Sequence, residues 1–232
     1  MPDDLRAFAQ KLQLSFSDEQ LLQQVFVHRS YLNEHRAFPL DHNERLEFLG
    51  DAVLELIVTE YLYKTFDKPE GELTNWRSAL VRGEMLSQLA QQIGMGDYLL
   101  LSRGEQKSQG KARQLILANA FEALIGAIYL DAGYEAAVRF ITTHVISQLE
   151  RILEEGRHID AKSDLQEKSQ EQLGVTPTYN VLESTGPDHD KTFVVGVYFG
   201  DRLLAKGTGS SKQRAEQAAA SEALKTWGQE TR

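Results

Sequence analysis

His42-Asn43-Glu44-Arg45-Leu46-Glu47-Phe48-Leu49-Gly50-Asp51-Ala52-Val53-Leu54-Glu55-Leu56 is the stretch from which the rest of the chain is read. Apolar residues recur at helical spacing, so it predicts an α-helix. At about 100° per residue, Glu44, Glu47, Asp51 and Glu55 fall within roughly 80° of one another. Leu46, Leu49, Val53, Leu56 and Ile57 fall opposite them. A solvated acidic face is the ordinary meaning of such a pattern. Two features speak against it. No basic residue four positions on pairs these acids, so like charges repel across the face. Phe48 also projects from the acidic side, either as a plug for a partner subunit or as a ring covered by another element.

A second helix is predicted over residues 115–130. It is apolar all round and therefore expected to be buried, with Glu122 its one charge. A buried carboxylate must be paired, protonated or bound to a metal. Asn119 lies one turn earlier on the same side. One reading is a Glu–Arg pair or a protonated Glu122. The other is that Asn119 and Glu122 face the acids of the first helix and complete an oxygen-only cage, which suits Mg²⁺.

The surrounding chain narrows the chemistry. Its 232 residues contain no cysteine, which excludes a disulfide scaffold, a thiol nucleophile and an iron–sulfur cluster. The histidines lack metalloprotease spacing, and no Ser-His-Asp signature is evident. The beginning has no apolar signal core, and the stretch from Ile116 to Leu130 reads as too short for a membrane span. The expectation is a soluble, cytoplasmic protein with no membrane partner. The net charge of −9 is concentrated early: residues 1–158 hold 16 basic against 23 acidic residues, and residues 159–232 hold 9 against 11.

Residues 1–155 read as mostly helical, with breaks near Phe38-Pro39, Pro69-Glu70-Gly71, Gly94-Met95-Gly96 and the polar loop Ser102–Gly110. The segment Leu149–Glu155 reads as the end of a helix. The pattern then changes. A helix from about Lys162 to Leu173 precedes strands at about Thr178–Ser184, Thr192–Phe199 and Arg202–Lys206, and a helix from about Ser211 to Trp227 closes the chain. The fold class is therefore mainly α, an all-helical domain followed by a small α+β unit of α-β-β-β-α order.

Asn43 through Leu54 resembles the signature of bacterial ribonuclease III, supported by His28-Arg29-Ser30-Tyr31-Leu32-Asn33, Glu70-Gly71-Glu72-Leu73 and the helix at 116–131. The tail, with Gly207-Thr208-Gly209-Ser210-Ser211-Lys212, resembles a double-stranded-RNA-binding domain. The resemblance spans nearly the whole chain and implies an endonuclease domain over 1–156, a linker over 157–160 and an RNA-binding domain over 161–229. It implies a homodimer that cleaves double-stranded RNA with Mg²⁺, Mn²⁺ substituting, to 5′-phosphate and 3′-hydroxyl ends with short 3′ overhangs. Processing of ribosomal RNA precursors and messengers would be its cellular work.

Carried over position by position, Glu47, Asp51, Asn119 and Glu122 would hold metal, with Asp51 and Glu122 the central catalytic acids. The family normally has Asp where this chain has Asn119, so one negative charge is missing. Glu44 and Glu70 match an outer pair of acids, and Phe48 matches an aromatic knob that enters a socket on the other subunit. Gln166 and His189 would probe the minor groove, the shallow groove that A-form RNA presents to proteins. Lys212 and Arg214 would meet phosphate at a helix start. Gln213 and Glu216 stand where many such domains carry Lys. Lys107 and Arg113, in and after the polar loop, would touch RNA beside the cut. His28 reads as a satisfied structural histidine. Two rivals remain at this point: a non-catalytic double-stranded-RNA-binding regulator weakened by Asn119, and a protein-interaction scaffold with no RNA role.

Overall fold

The computed structural model describes residues 3–154, 161–187 and 191–227. The chain divides into two compact units, Met1–His158 and Ile159–Arg232. The expected linker at 157–160 lies outside the described residues.

The first unit is helical. Its elements are α1 (Asp3–Lys11), α2 (Glu19–Val25), α3 (Arg29–Glu34), α4 (Glu44–Thr65), α5 (Glu70–Val81), α6 (Gly83–Gln92), α7 (Gly110–Ala132), α8 (Tyr134–His144) and α9 (Leu149–Glu154). Short 3₁₀ turns at Met95–Asp97, Glu105–Lys107 and Ile146–Gln148 punctuate them. Pro69 is the N-cap of α5. The break expected at Pro69-Glu70-Gly71 falls earlier, over residues 66–69, and Glu70 and Gly71 already belong to α5, since proline is tolerated at a helix start. The segment at 149 is a new short helix after a 3₁₀ turn rather than the end of a longer one.

At the centre, α7 packs chiefly on α4 and α6, with α2 and α8 closing its flanks. Phe121, Leu117 and Leu124 of α7 are fully buried with Leu54 and Leu62 of α4 and Leu80, Met85 and Leu86 of α5 and α6. By length and composition, α7 with its 23 residues could cross a membrane, which corrects the expectation from sequence that this stretch is too short. In the fold its apolar surface is consumed by this core. Both ends emerge, however: Leu115 is 63% exposed and Leu130 is 55% exposed.

The start of α4 is anchored from outside the helix. The Asn43 backbone N–H donates to the Val27 carbonyl at 2.9 Å, and its Nδ2 donates to the Val25 carbonyl at 2.9 Å. The same extended turn after α2 bonds the 100 region, with Leu100 N–H donating to Phe26 O at 2.8 Å. His28 caps α3 through Nδ1, which accepts from the Ser30 N–H.

The second unit runs α10 (Ala161–Leu173), β1 (Thr178–Thr185), β2 (Thr192–Phe199), β3 (Arg202–Gly209) and α11 (Lys212–Thr226). The sheet is antiparallel in the order β1-β2-β3. Leu165, Val197, Ala219, Ala220 and Ala223 form its core, with Tyr179, Phe199 and Trp227 packed around them. β3 extends three residues beyond the expected Lys206. Gly207 and Gly209 belong to the strand because α11 lies directly on them. A Cβ on Gly207 would stand 2.0 Å from the Ala219 nitrogen, and one on Gly209 would stand 2.5 Å from the Ala215 nitrogen.

Candidate metal centre and RNA interface

The crossing of α4 and α7 is unusually close at two glycines. A Cβ on Gly50 would lie 1.8 Å from the Glu122 carbonyl oxygen, and one on Gly126 would lie 2.3 Å from the Leu46 carbonyl oxygen. Only glycine permits that approach. Asp51 follows Gly50, Glu47 lies one turn before it, and Glu122 and Asn119 stand on successive turns of α7. The two backbones therefore bring these side chains to one edge of the helix pair.

Electrostatics register the gathering. Glu122 is half-buried, and its carboxyl is pushed up to about 8 by burial first, then by the charges of Asp51 and Glu47. Burial also raises Glu47, reinforced by Glu44 and Asp51, while the Asn119 amide pulls it back. Among the described residues, no basic side chain forms an ion pair with Glu47, Asp51 or Glu122. A carboxyl group that is half-buried, crowded by acids and without a basic partner fits a cation site. The donors are all oxygen, the set a hard divalent ion prefers. Among the described residues, no group of three or more acidic or histidine side chains is already placed to hold a metal ion.

Of the other acids, Glu44 adds its charge to Glu47 from the start of α4, and Glu70 stands apart. Glu44 opens α4, 3.4 Å from Arg29 and 3.7 Å from His42. Glu70 opens α5 and accepts from Thr74 Oγ1 at 3.0 Å. It borders a groove of about 810 Å³ with Thr59, Leu62, Tyr63, Leu73 and Arg77, at the far end of α4. Glu55 is exposed and joins neither group.

Phe48 is 81% exposed, as its position on the acidic side suggests. It does not stand alone. Leu56, expected in the core, is 58% exposed, and Tyr63 is 78% exposed. With Ala52 and Thr59 these side chains make one continuous stripe along α4. Leu54, outside the expected buried set, takes the core position instead. The helix is covered on more than one side, so a two-face reading of it misassigns residues near the boundary. The stripe was legible only as Phe48; Gly126 carried no sequence signal beyond its type.

Lys107 lies exposed in its 3₁₀ turn. Arg113 is held structurally, because its Nη2 donates to the Gly96 carbonyl at 3.0 Å and so ties α7 to the turn after α6. In the second unit, Gln166 is exposed on α10 beside Glu167, Gln170 and Glu171. His189 lies outside the described residues. Ser211 caps α11 by accepting from the Arg214 N–H at 3.2 Å, and the exposed Lys212 and Arg214 flank that helix start. Lys162 is engaged with Glu216 at 2.7 Å and lies over the Tyr179 ring.

A family model described as Ribonuclease-III-like matches residues 18–149, and one described as Double-stranded RNA binding motif matches residues 161–226. The chain belongs to the ribonuclease III family. The Ribonuclease 3 of Oceanobacillus iheyensis is 44% identical over 222 residues, 95% of this chain and 97% of that protein. That of Syntrophomonas wolfei is 47% identical over 221 residues, 94% of this chain and 92% of the other. The solved nuclease domain of the Campylobacter jejuni ribonuclease III is 38% identical, with a TM-score of 0.56. It covers 62% of this chain and 96% of its own. Ribonuclease III enzymes are metal-dependent, double-strand-specific endoribonucleases, and this chain is one of them.

Proposed function

We propose that Glu47, Asp51, Asn119 and Glu122 hold Mg²⁺, or Mn²⁺ in its place, and that Asp51 and Glu122 are the central acids of phosphodiester hydrolysis in double-stranded RNA. The observation that carries this reading is the gathering of these residues at the Gly50–Gly126 crossing, with Glu122 pushed up to about 8 and no basic partner. When bound, Mg²⁺ supplies the positive charge that acidifies water and offsets the charge developing on the phosphodiester. Glu122 must give up its proton to serve as a ligand. Asp51 is exposed, so its carboxylate is open to a substrate phosphate. The Asn119 oxygen provides a neutral fourth donor while its amide nitrogen supports Glu47. The products are 5′-phosphate and 3′-hydroxyl ends, and processing of ribosomal RNA precursors and messengers in the cytoplasm is the corresponding cellular role.

The working unit is a homodimer built through the α4 stripe. Glu44 and Glu70 sit at opposite ends of α4, on the order of 20–30 Å apart at about 1.5 Å per residue. They can flank one cleavage valley only if a second copy crosses the first with its α4 reversed. That arrangement sets Phe48 opposite the partner's Tyr63 and its groove. The Campylobacter jejuni nuclease-domain structure is described as flexible in a region involved in dimer formation, which supports a homodimer. RNA is held by Lys212 and Arg214 at the capped start of α11 and by Gln166 on α10, with His189 a second minor-groove probe. Lys107 contributes near the cut; Arg113 is the weaker candidate because Gly96 engages it.

A denaturing gel of long duplex RNA, run with Mg²⁺, with EDTA and beside the single strand, tests the reading. Metal-dependent cutting of the duplex alone is expected. An intact duplex that still shifts on a native gel would instead identify a binding protein inactivated by Asn119.

A further inference from the structure

We infer that Gly126 is a positioning residue for the metal centre: its missing side chain, with that of Gly50, sets the spacing at which the acids of α4 and α7 share one ion. This rests on the proposed metal site. Three observations carry it. First, the contact at the crossing is backbone against backbone. The nearest atoms to a Cβ on Gly126 would be the Leu46 carbonyl oxygen at 2.3 Å and the Gly50 nitrogen at 3.1 Å. Neither can rotate away as a side-chain tip can, so any side chain at position 126 must move a helix. Second, the crossing lies at the acids. Gly126 stands one turn from Glu122, Leu46 precedes Glu47, and Gly50 precedes Asp51. A displacement there passes directly into the carboxylate spacing. Third, Gly126 is not a concession to the turn or the core. It lies inside α7, where glycine costs roughly 1 kcal/mol relative to alanine, and its φ is not among the left-handed glycine values. Close approach is the remaining reason for glycine at that position.

Gly126→Ala pushes α7 from α4 by part of an ångström, which leaves the helices intact but opens the ligand set. Metal sites tolerate little misplacement of their supporting shell. Tb³⁺, an oxygen-seeking probe with luminescence lifetimes that count coordinated water, reads this without any cleavage reaction. The full chain is titrated with Tb³⁺ as wild type, as Gly126→Ala and as Leu54→Ala, a core truncation of α4 that adds no atom at the crossing. The wild type is expected to bind Tb³⁺ competitively with Mg²⁺. Gly126→Ala is expected to bind roughly ten- to a hundredfold more weakly and to leave at least one more water on the ion. Leu54→Ala should keep the wild-type affinity and water count despite its lower melting temperature. Unchanged affinity and lifetime in folded Gly126→Ala would overturn the inference, as would an equal loss in Leu54→Ala. Loss of helical circular dichroism in Gly126→Ala alone would also overturn it, because the crossing would then hold the fold rather than the site. No Tb³⁺ binding by the wild type would instead refute the metal site on which the inference rests.

Discussion

Glu122 carries the sharpest consequence at the scale of single residues. Its carboxyl holds a proton up to about pH 8 because burial and two neighbouring acids disfavour the charge. An acid whose folded value is raised contributes stability below its unfolded value near 4.5, and that contribution is lost as pH rises through about 8. Metal-free protein should therefore lose stability between about pH 4.5 and 8, with little further loss above, and Glu122→Gln should remove most of the loss. At about pH 9 in EDTA the variant is expected to be about 2–4 kcal/mol more stable than wild type, after discounting the shift for residual solvent. Thermal melts at both pH values decide it, and parallel curves for the two proteins would contradict the raised value. The same variant should cleave RNA at least about 10³-fold more slowly, since it loses several kcal/mol of metal-derived stabilisation, while filter binding to duplex RNA stays near wild type.

At the scale of elements, α4 does three things at once. One flank packs on α7, one edge carries the acids, and the remaining face exposes Phe48, Leu56 and Tyr63. Burying that stripe against a second copy is the simplest account of its length and apolar character. Phe48→Ala should weaken the dimer by about 1–3 kcal/mol and leave the helical content of each chain unchanged, because Phe48 is 81% exposed within one chain. Light scattering across a dilution series reads this directly. Equal molar mass for variant and wild type at every concentration would remove Phe48 from the interface. In the second unit, β3 and α11 are joined through Gly207 and Gly209, and that contact aims the start of α11, with Lys212 and Arg214, outward.

At the scale of the whole molecule, a net charge of −9 coexists with RNA binding because the two charges serve different units. Acids dominate the nuclease unit, where the proposed metal site lies. The second unit needs only local cations, and it has few: Gln213 and Glu216 stand among Lys212 and Arg214. Affinity for duplex RNA should therefore fall steeply with salt from a modest starting value. Replacing Lys212 and Arg214 together by alanine should flatten the plot of log affinity against log salt by roughly two. A slope unchanged by that substitution would place the phosphate contacts elsewhere on the chain.

The sequence by itself determined the helical character of the first unit, the α-β-β-β-α order of the second, and the presence of acids on two of the helices. These follow from periodicity, from the β-branched residues of β2 and from the isolated charge of Glu122, all local signals. Tertiary structure decided the rest. Periodicity alone put Leu56 in the core and hid Leu54, because a helix packed on several sides has no single buried face. The bond from the Arg113 guanidinium to the Gly96 carbonyl, which ties α7 to the turn after α6, has no signal in either stretch of sequence. β3 ended at Lys206 on sequence grounds until α11 was seen lying on Gly207 and Gly209. Gly126 became informative only through the Leu46 carbonyl, 80 residues earlier in the chain. A close backbone approach is a property of two segments, and neither segment records its partner.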